Sequence, residues 1–165
     1  MAGPVDPQRL AWLLEHRAAA LEFYAAQFCR CAEDVVQEAV IELAALRERP
    51  QDDLAWLYGV VRHKALSAAR GEHRRKRREE RSAEDRTECF AGLAEQTAEA
   101  QLIVTALESL PDAQREIVVA HLWGGLTFEQ IGPLLGVSGS TAHRQYQAAL
   151  ATIRKRLNVP CRESP

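Results

Sequence analysis

The segment Thr127–Leu157, TFEQIGPLLGVSGSTAHRQYQAALATIRKRL, has the pattern of two short helices joined by a tight turn. Thr127 and Gln130 have the spacing of a capping box, in which each side chain satisfies a backbone amide of the other at the start of a helix. Gly136 can adopt the left-handed conformation that ends a helix, and Ser138 can cap the helix that follows. These signals predict a helix-turn-helix.

Apolar residues recur at helical spacing on both sides of this turn, which predicts one buried face for each helix. The buried positions are Phe128, Ile131, Leu134 and Leu135 in the first helix, and Ala142, Tyr146, Ala149, Leu150 and Ile153 in the second. The second helix then turns five polar or basic residues outward: Ser140, Thr141, His143, Arg144 and Gln147. Such residues near the start of a second helix are typical of contact with base edges in the DNA major groove.

An ordinary helical hairpin in a bundle is the alternative for this segment. The DNA-binding interpretation is favoured because the small polar and basic residues gather near the start of the second helix. Pro133 lies inside the first helix, where it removes a backbone hydrogen bond, so we expect a kink there.

The composition predicts an all-α protein. Alanine is abundant, glycine is scarce, and no run of alternating β-branched residues indicates a strand. At 165 residues, with 47% hydrophobic and 27% charged residues, the chain can form one compact domain or two small ones and is not of disordered composition. The formal charge of −2 does not by itself indicate nucleic-acid binding, but the local charges are strongly uneven.

The sequence also indicates a cytoplasmic protein without catalytic machinery. No apolar run approaches the length of a transmembrane helix, and the amino-terminal MAGPVDPQRL lacks the pattern of a secretion signal. We find no phosphate-binding glycine-rich loop, no Ser/His/Asp constellation and no carboxylate pair in an apolar setting. We therefore expect neither an enzyme nor a cofactor.

The chain contains four cysteines, Cys29, Cys31, Cys89 and Cys161. The Cys29-x-Cys31 spacing is shorter than the usual zinc knuckle, and no histidine follows at zinc-finger spacing. Partly buried free thiols in a reducing compartment are favoured over a zinc site completed by a distant histidine, so no metal is expected.

Two amphipathic helices are predicted in the first part of the chain, over residues 7–30 and 32–47. The apolar stripe of the first comprises Leu10, Leu13, Leu14, Ala18, Leu21, Ala25 and Phe28. The second buries Val36, Ala39, Val40, Leu43 and Leu46 and presents Glu33, Asp34, Gln37, Glu38 and Glu42 outward. From spacing alone, this acidic face is more simply a solvated helix whose first-turn acids suit the helix dipole than a docking face for a basic helix of a partner.

A loop over residues 47–52 precedes a third predicted helix, from Leu54 to about Arg78. Residues 70–81 contain seven Arg or Lys against three Glu, including five consecutive basic residues from Arg74 to Arg78. A helix end stabilised by its dipole does not need so many cations, so this basic ridge, residues 70–78, favours contact with phosphates. Trp56 is either core packing or a stacking surface for an unpaired base.

The polar and weakly periodic residues 82–97 predict a linker between a first domain, residues 1–81, and a second, residues 98–165. The second domain begins with a helix that has apolar residues on one face: Ile103, Ala106, Leu107 and Leu110. A further helix, Gln114–Trp123, directs Ile117, Val118, His121 and Leu122 inward. His121 is expected to be a core or boundary histidine and not a ligand.

Over nearly its whole length the chain resembles the extracytoplasmic-function sigma factors of bacterial RNA polymerase, in the sigma-70 family. Three blocks in the family's order carry the resemblance: AEDVVQE at residues 32–38, WLYGVVRHKA at 56–65 followed by the arginine-rich segment, and LPDAQRE at 110–116 leading into the helix-turn-helix. Gly59 and His63 depart from the basic residue and the asparagine that are usual in the second block.

The resemblance implies a role for each surface. Asp34, Gln37, Glu38 and Glu42 would bind the clamp helices of the polymerase's largest subunit, which reverses the preference from spacing alone. The loop at 47–52 and the start of the third helix would hold a base flipped from the minus-ten element. Minus-ten DNA contacts would come from Arg49, Trp56, Arg62, His63, Arg70, Arg74, Arg75, Lys76, Arg77 and Arg78, and minus-35 contacts from Ser140, Thr141, His143, Arg144 and Gln147. The basic residues Arg154, Lys155 and Arg156 would support DNA-backbone contacts or bind the polymerase flap.

The function implied is that of a sigma factor, which binds core RNA polymerase, recognises promoter DNA and is held by an anti-sigma protein. One alternative is a helix-turn-helix regulator that never binds core polymerase, which would leave the acidic face and the Trp56 helix without a purpose. Another is a sigma-like interaction protein that sequesters partners without binding promoters.

Overall fold

A computed structural model describes residues 3–79, 90 and 97–158 of the chain. These residues form seven α-helices and no strand, which confirms the all-α prediction. The helices are α1 (Pro7–Ala25), α2 (Ala32–Ala45), α3 (Asp53–Glu79), α4 (Ala98–Glu108), α5 (Asp112–Leu122), α6 (Phe128–Leu135) and α7 (Gly139–Arg156).

The contacts divide the chain into two compact units, Met1–Gly92 and Leu93–Pro165. Most of the predicted linker, residues 82–97, lies outside the described residues, as do Cys89 and Cys161. Among the described residues, no helix is both long enough and apolar enough to cross a membrane.

The first unit is built on α1, which packs against α2 and α3, while α2 and α3 pack against each other. Asp6 caps α1 by accepting from the Gln8 amide at 3.1 Å. Pro7 occupies the first turn, where a backbone N–H would have no acceptor within the helix, so its lack of an N–H does not destabilise the helix. The largest fully buried side chains are Leu13, Leu21, Tyr24, Leu43, Leu57, Tyr58, Val36 and Val61. Aromatic rings therefore fill the centre of this unit, where Tyr24 meets Tyr58 edge to face at 4.9 Å.

Two predictions about α1 are wrong. The helix ends at Ala25 and not at Arg30, and the chain continues as a turn. Leu14 was expected in the apolar stripe but is 46% exposed, because the buried face follows Leu13, Leu21 and Tyr24 and places Leu14 at its edge.

Phe90 packs onto the end of α1 although it belongs to the predicted linker. Its ring stacks on Phe23 at 4.8 Å, and its amide donates to the carbonyl of Ala26 at 2.8 Å. Its φ of 63° is unusual for a bulky residue, so the surrounding contacts must stabilise this conformation. Phe90 is thus part of the core of the first unit.

In the second unit, α7 packs against α4, α5 and α6, and its core is formed by Leu107, Ile117, Leu126, Ile131, Ala142 and Ala149. The prediction that Ile103 and Leu122 are buried is wrong, since they are 43% and 52% exposed. Helix α4 buries its Ala106 and Leu107 face, which leaves Ile103 outside, and Leu122 is the last residue of α5.

Candidate nucleic-acid and protein-binding surfaces

The helix-turn-helix is formed by α6 and α7, with the local geometry that the sequence predicts. Gln130 Oε1 accepts from the Thr127 amide at 2.7 Å, and Thr127 Oγ1 accepts from the Gln130 amide at 3.3 Å, which completes the capping box. Gly136 ends α6 in the left-handed region with φ of 71°. Ser138 Oγ then accepts from the Thr141 amide at 3.1 Å and so starts α7.

Two glycines that sequence reasoning did not single out allow the two helices to meet at this turn. A Cβ on Gly132 would lie 2.7 Å from the carbonyl oxygen of Val137, and one on Gly139 would lie 3.3 Å from that of Phe128. Pro133 stays within α6, on its exposed side. The close approach of backbone to backbone therefore fixes the angle at which α7 leaves the turn.

The structure brings the five predicted minus-35 residues together on the first turns of α7. Ser140, His143, Arg144 and Gln147 are exposed, and Thr141 is half-buried. The hydroxyls of Ser140 and Thr141 contact Ser138 Oγ at 3.0 and 2.9 Å, so both take part in the cap. His143 and Gln147 lie 3.3 Å apart, and Arg144 projects from the same part of the helix.

His121 connects the helix-turn-helix to α5 at the boundary of the core. Its Nδ1 lies 2.7 Å from the carbonyl oxygen of Leu126, and because that oxygen can only accept, Nδ1 is the donor. Its ring stacks on Phe128 at 4.4 Å and meets Tyr146 edge to face at 4.9 Å. Phe128 in turn contacts the exposed His143 at 5.0 Å, so packing links the core to the face of α7 that carries the predicted minus-35 residues.

In the first unit, the four predicted polymerase-binding residues, Asp34, Gln37, Glu38 and Glu42, are all exposed on α2. Lys64 of α3, which sequence reasoning missed, lies 3.4 Å from a carboxylate oxygen of Glu38 and 3.2 Å from one of Glu42. The hydrogen bond to Glu42 raises the pKa of Lys64 above its ordinary value.

The acidic face also contains an apolar residue. Ile41 lies between Glu38 and Glu42 on the outer side of α2, and it is 68% exposed. An apolar side chain surrounded by exposed acids is a common composition for a protein-binding surface, where an apolar centre is bordered by polar groups.

Arg49 pairs with an acidic residue at the start of α3. Its Nη2 donates to Asp53 Oδ2 at 3.0 Å, and Arg9 of α1 donates two further hydrogen bonds to the same carboxylate. Asp53 is buried, and the hydrogen bond from Arg9 lowers the pKa of its carboxyl. Asp52 caps the helix by accepting from the Ala55 amide at 2.9 Å. Arg49 therefore contributes to the structure of the loop in which base capture is predicted.

The remaining predicted minus-ten residues are distributed along α3. Trp56 and Arg62 are half-buried, and His63 is exposed. Further along the helix, Arg70, Arg74, Arg75, Arg77 and Arg78 are exposed and Lys76 is half-buried, so the predicted basic ridge is accessible. Arg74, Arg75 and Arg78 line a cavity of about 510 Å³ that also borders Cys31 at the start of α2.

Cys29 is buried and Cys31 is half-buried, and both are free thiols. Within residues 3–79, 90 and 97–158, no group of three or more His, Cys, Asp or Glu side chains is placed to hold a metal ion.

Comparison with known proteins supports the assignment of a helix-turn-helix to the second unit. Residues 106–155 match the family model for sigma-70, region 4, and this range contains α5, α6 and all of α7 except its last residue. The chain is 30% identical over 125 residues to the ECF RNA polymerase sigma factor SigD of Mycobacterium tuberculosis, a match that covers 71% of this chain and 59% of SigD. The chain is therefore similar in sequence to extracytoplasmic-function sigma factors of the sigma-70 family.

A second relative gives a similar match. The ECF RNA polymerase sigma factor SigK of Mycobacterium bovis is 28% identical over 110 residues, which cover 64% of this chain and 59% of SigK. Each match thus spans less than two thirds of the length of the relative. The fold is also that of the sigma factor RpoE of Bartonella quintana, solved in complex with the anti-sigma factor NepR, with a TM-score of 0.69 at 18% identity over 94% of this chain and 100% of that one.

Proposed function

We propose that this chain is a sigma factor that binds core RNA polymerase and directs promoter recognition, DNA melting and transcription initiation. The observation that carries the proposal is the coincidence of the sigma-70 region 4 match with a complete helix-turn-helix whose recognition helix exposes polar and basic residues. The matches to SigD and SigK extend beyond region 4, which supports a role for the first unit as well.

In this proposal α7 reads the minus-35 element in the major groove. Arg144 and Gln147 are suited to base edges, because arginine pairs with guanine and glutamine with adenine, each good pair contributing about 1–3 kcal/mol of discrimination. Ser140 and Thr141 take part in the helix cap, so we assign them contacts to neighbouring phosphates as well as to bases.

The first unit would bind both the polymerase and the melted minus-ten element. Asp34, Gln37, Glu38 and Glu42 form the acidic surface for the clamp helices of the largest subunit. Non-template DNA would lie along α3, from the loop near Arg49 to the basic ridge. The exposure of the ridge arginines supports this path, since phosphate contacts need accessible cations.

The proposal includes the domain limits 1–81, 82–97 and 98–165, a cytoplasmic location and the absence of catalysis. It also includes an anti-sigma partner, supported by the complex in which RpoE of the same fold was solved. Arg154, Lys155 and Arg156, which are exposed at the end of α7, would contact the DNA backbone or the polymerase flap.

In vitro transcription tests this function directly. The purified chain is added to core RNA polymerase on fragmented genomic templates, and new start sites are mapped. New initiation with a shared upstream sequence is expected. Failure to co-elute with core polymerase, together with no initiation from any template, would refute the proposal. Promoter-length DNA binding without polymerase binding would instead identify a helix-turn-helix regulator.

A further inference from the structure

Two thiols lie where α1 gives way to α2. Cys29 is buried, and its sulfur lies 3.8 Å from the carbonyl oxygen of Ala25. Cys31 is the N-cap residue of α2. It is half-buried, and its side chain makes no capping hydrogen bond. The segment therefore places one buried thiol two positions before one accessible thiol.

The accessible thiol borders a cationic cavity. The cavity of about 510 Å³ is lined by Cys31, Ala68, Gly71, Glu72, Arg74, Arg75 and Arg78, so three arginines and one glutamate border it. The amino terminus of α2, which begins next to Cys31, adds the partial positive charge of its free amides. A small anion is attracted into such a cavity, and its local concentration beside Cys31 is raised.

We infer that Cys31 and Cys29 form a thiol-exchange site for a small anionic disulfide that enters the arginine-lined cavity. In the first step the Cys31 thiolate attacks one sulfur of the disulfide, after losing its proton to solvent. The sulfur–sulfur bond breaks, one half leaves as a thiolate, and the other half remains in a mixed disulfide on Cys31.

The buried thiol controls how long this mixed disulfide persists. In a second step Cys29 can attack Cys31, which forms a Cys29–Cys31 disulfide and releases the second thiolate, so that two protein thiols are oxidised and one disulfide is reduced. Burial raises the pKa of Cys29 to about 12, so its thiolate is scarce near neutral pH and this step is slow. The anionic adduct then remains among Arg74, Arg75 and Arg78.

The expected consequence is weaker DNA binding, and this part rests on the proposed function. An anion held among the ridge arginines competes with the phosphates that those arginines would bind. Modification of one thiol would thereby reduce the activity of the chain without unfolding it.

The test uses the full chain and two disulfide probes, the dianionic dithiobis(nitrobenzoate) and the uncharged dithiodipyridine. Rates are followed by the absorbance of the released thiol, and modified residues are identified by peptide mass spectrometry. Cys31 is expected to react with the dianionic probe on the order of tenfold faster than in an Arg74→Gln/Arg75→Gln variant, with little difference for the uncharged probe. Cys31→Ser is the matched control, because serine is a favoured helix cap and should preserve α2.

Three results would overturn the inference: Cys29 reacting before Cys31, equal sensitivity of both probes to the arginine substitutions, or an arginine-dependent reaction phase that persists in the Cys31→Ser variant. DNA binding is measured separately on modified and unmodified protein. If Cys31 of the wild-type chain does not react with the dianionic probe, the exchange site is refuted. If the unmodified protein fails to support transcription, the proposed function is refuted, but the measured exchange rates still stand.

Discussion

Arg9 and Asp53, 44 positions apart, form a bidentate ion pair that joins the first turn of α1 to the first turn of α3. Arg9 Nε and Nη2 donate to the two carboxylate oxygens at 2.9 and 2.8 Å, and the Asp53 side chain is only 4% exposed. Arg49 completes the arrangement from the preceding loop at 3.0 Å. One buried carboxylate therefore holds the loop in which base capture is predicted.

We expect Asp53→Asn to lower the free energy of unfolding by about 1–3 kcal/mol, because two partly exposed arginines lose their charged acceptor. Denaturant unfolding at neutral pH measures this. Glu15→Gln, at an exposed position inside α1, is the matched control and should change stability by less than about 0.5 kcal/mol. An equal effect of both substitutions would contradict the structural role of Asp53.

The same ion pair predicts a pH dependence. The pKa of Asp53 is lower in the folded chain than in the unfolded chain, so its contribution is fully present above the unfolded value near 3.8 and is lost as pH falls through the folded value. The stability difference between the wild type and Asp53→Asn should therefore shrink below about pH 4. Unfolding curves at several acidic pH values test this, and a difference that grows towards low pH would have the wrong sign.

Gly132 and Gly59 give a matched pair of glycine substitutions. A Cβ at Gly132 would lie 2.7 Å from the Val137 carbonyl oxygen, whereas one at Gly59 meets nothing within 4 Å. We expect Gly132→Ala to destabilise the second unit by about 1–3 kcal/mol and, if the proposed function holds, to weaken DNA binding. Gly59→Ala should stabilise α3 by about 1 kcal/mol, because alanine is the better helix former. Thermal unfolding compares the two, and stabilisation by Gly132→Ala would show that the turn is looser than described.

The local signals were predictable from sequence, and the long-range contacts were not. Thr127, Gln130, Gly136 and Ser138 act within one turn of their own position, so the capping box and the turn follow from residue types. Lys64 with Glu38, and Arg9 with Asp53, join residues 26 and 44 positions apart, and sequence spacing cannot place them together. Helix periodicity locates a buried face only roughly, which explains the error at Leu14.

The predicted polymerase surface can be tested by charge reversal. Asp34→Lys should weaken binding to core polymerase by at least tenfold if the acidic face of α2 docks on a basic partner, because a like-charge contact replaces an attractive one. Glu15→Lys, an exposed charge reversal on α1, is the control for net charge. Binding is measured by fluorescence anisotropy with core polymerase at two salt concentrations.

An additional substitution separates the apolar and the charged contributions to this surface. Ile41→Ser should also weaken binding to core polymerase, without the salt dependence of the charge reversal, because it removes only apolar contact. Equal polymerase affinity for the wild type, Asp34→Lys and Ile41→Ser would exclude α2 from the interface.

The recognition helix offers the sharpest test of specificity, because one helix carries both the test and the control. Arg144 projects from the first half of α7, and Thr152, in its second half, bonds to the Ala148 carbonyl oxygen at 3.2 Å. If Arg144 contacts a base edge, Arg144→Ala should reduce affinity for the mapped promoter by about 1–3 kcal/mol, or roughly 5- to 150-fold, and relax the preference at one base pair. Thr152→Ala should leave both unchanged. If Arg144→Ala instead weakens binding to all sequences equally and lowers the salt dependence, Arg144 contacts phosphate, and base recognition must come from the other predicted minus-35 residues, Ser140, Thr141, His143 and Gln147.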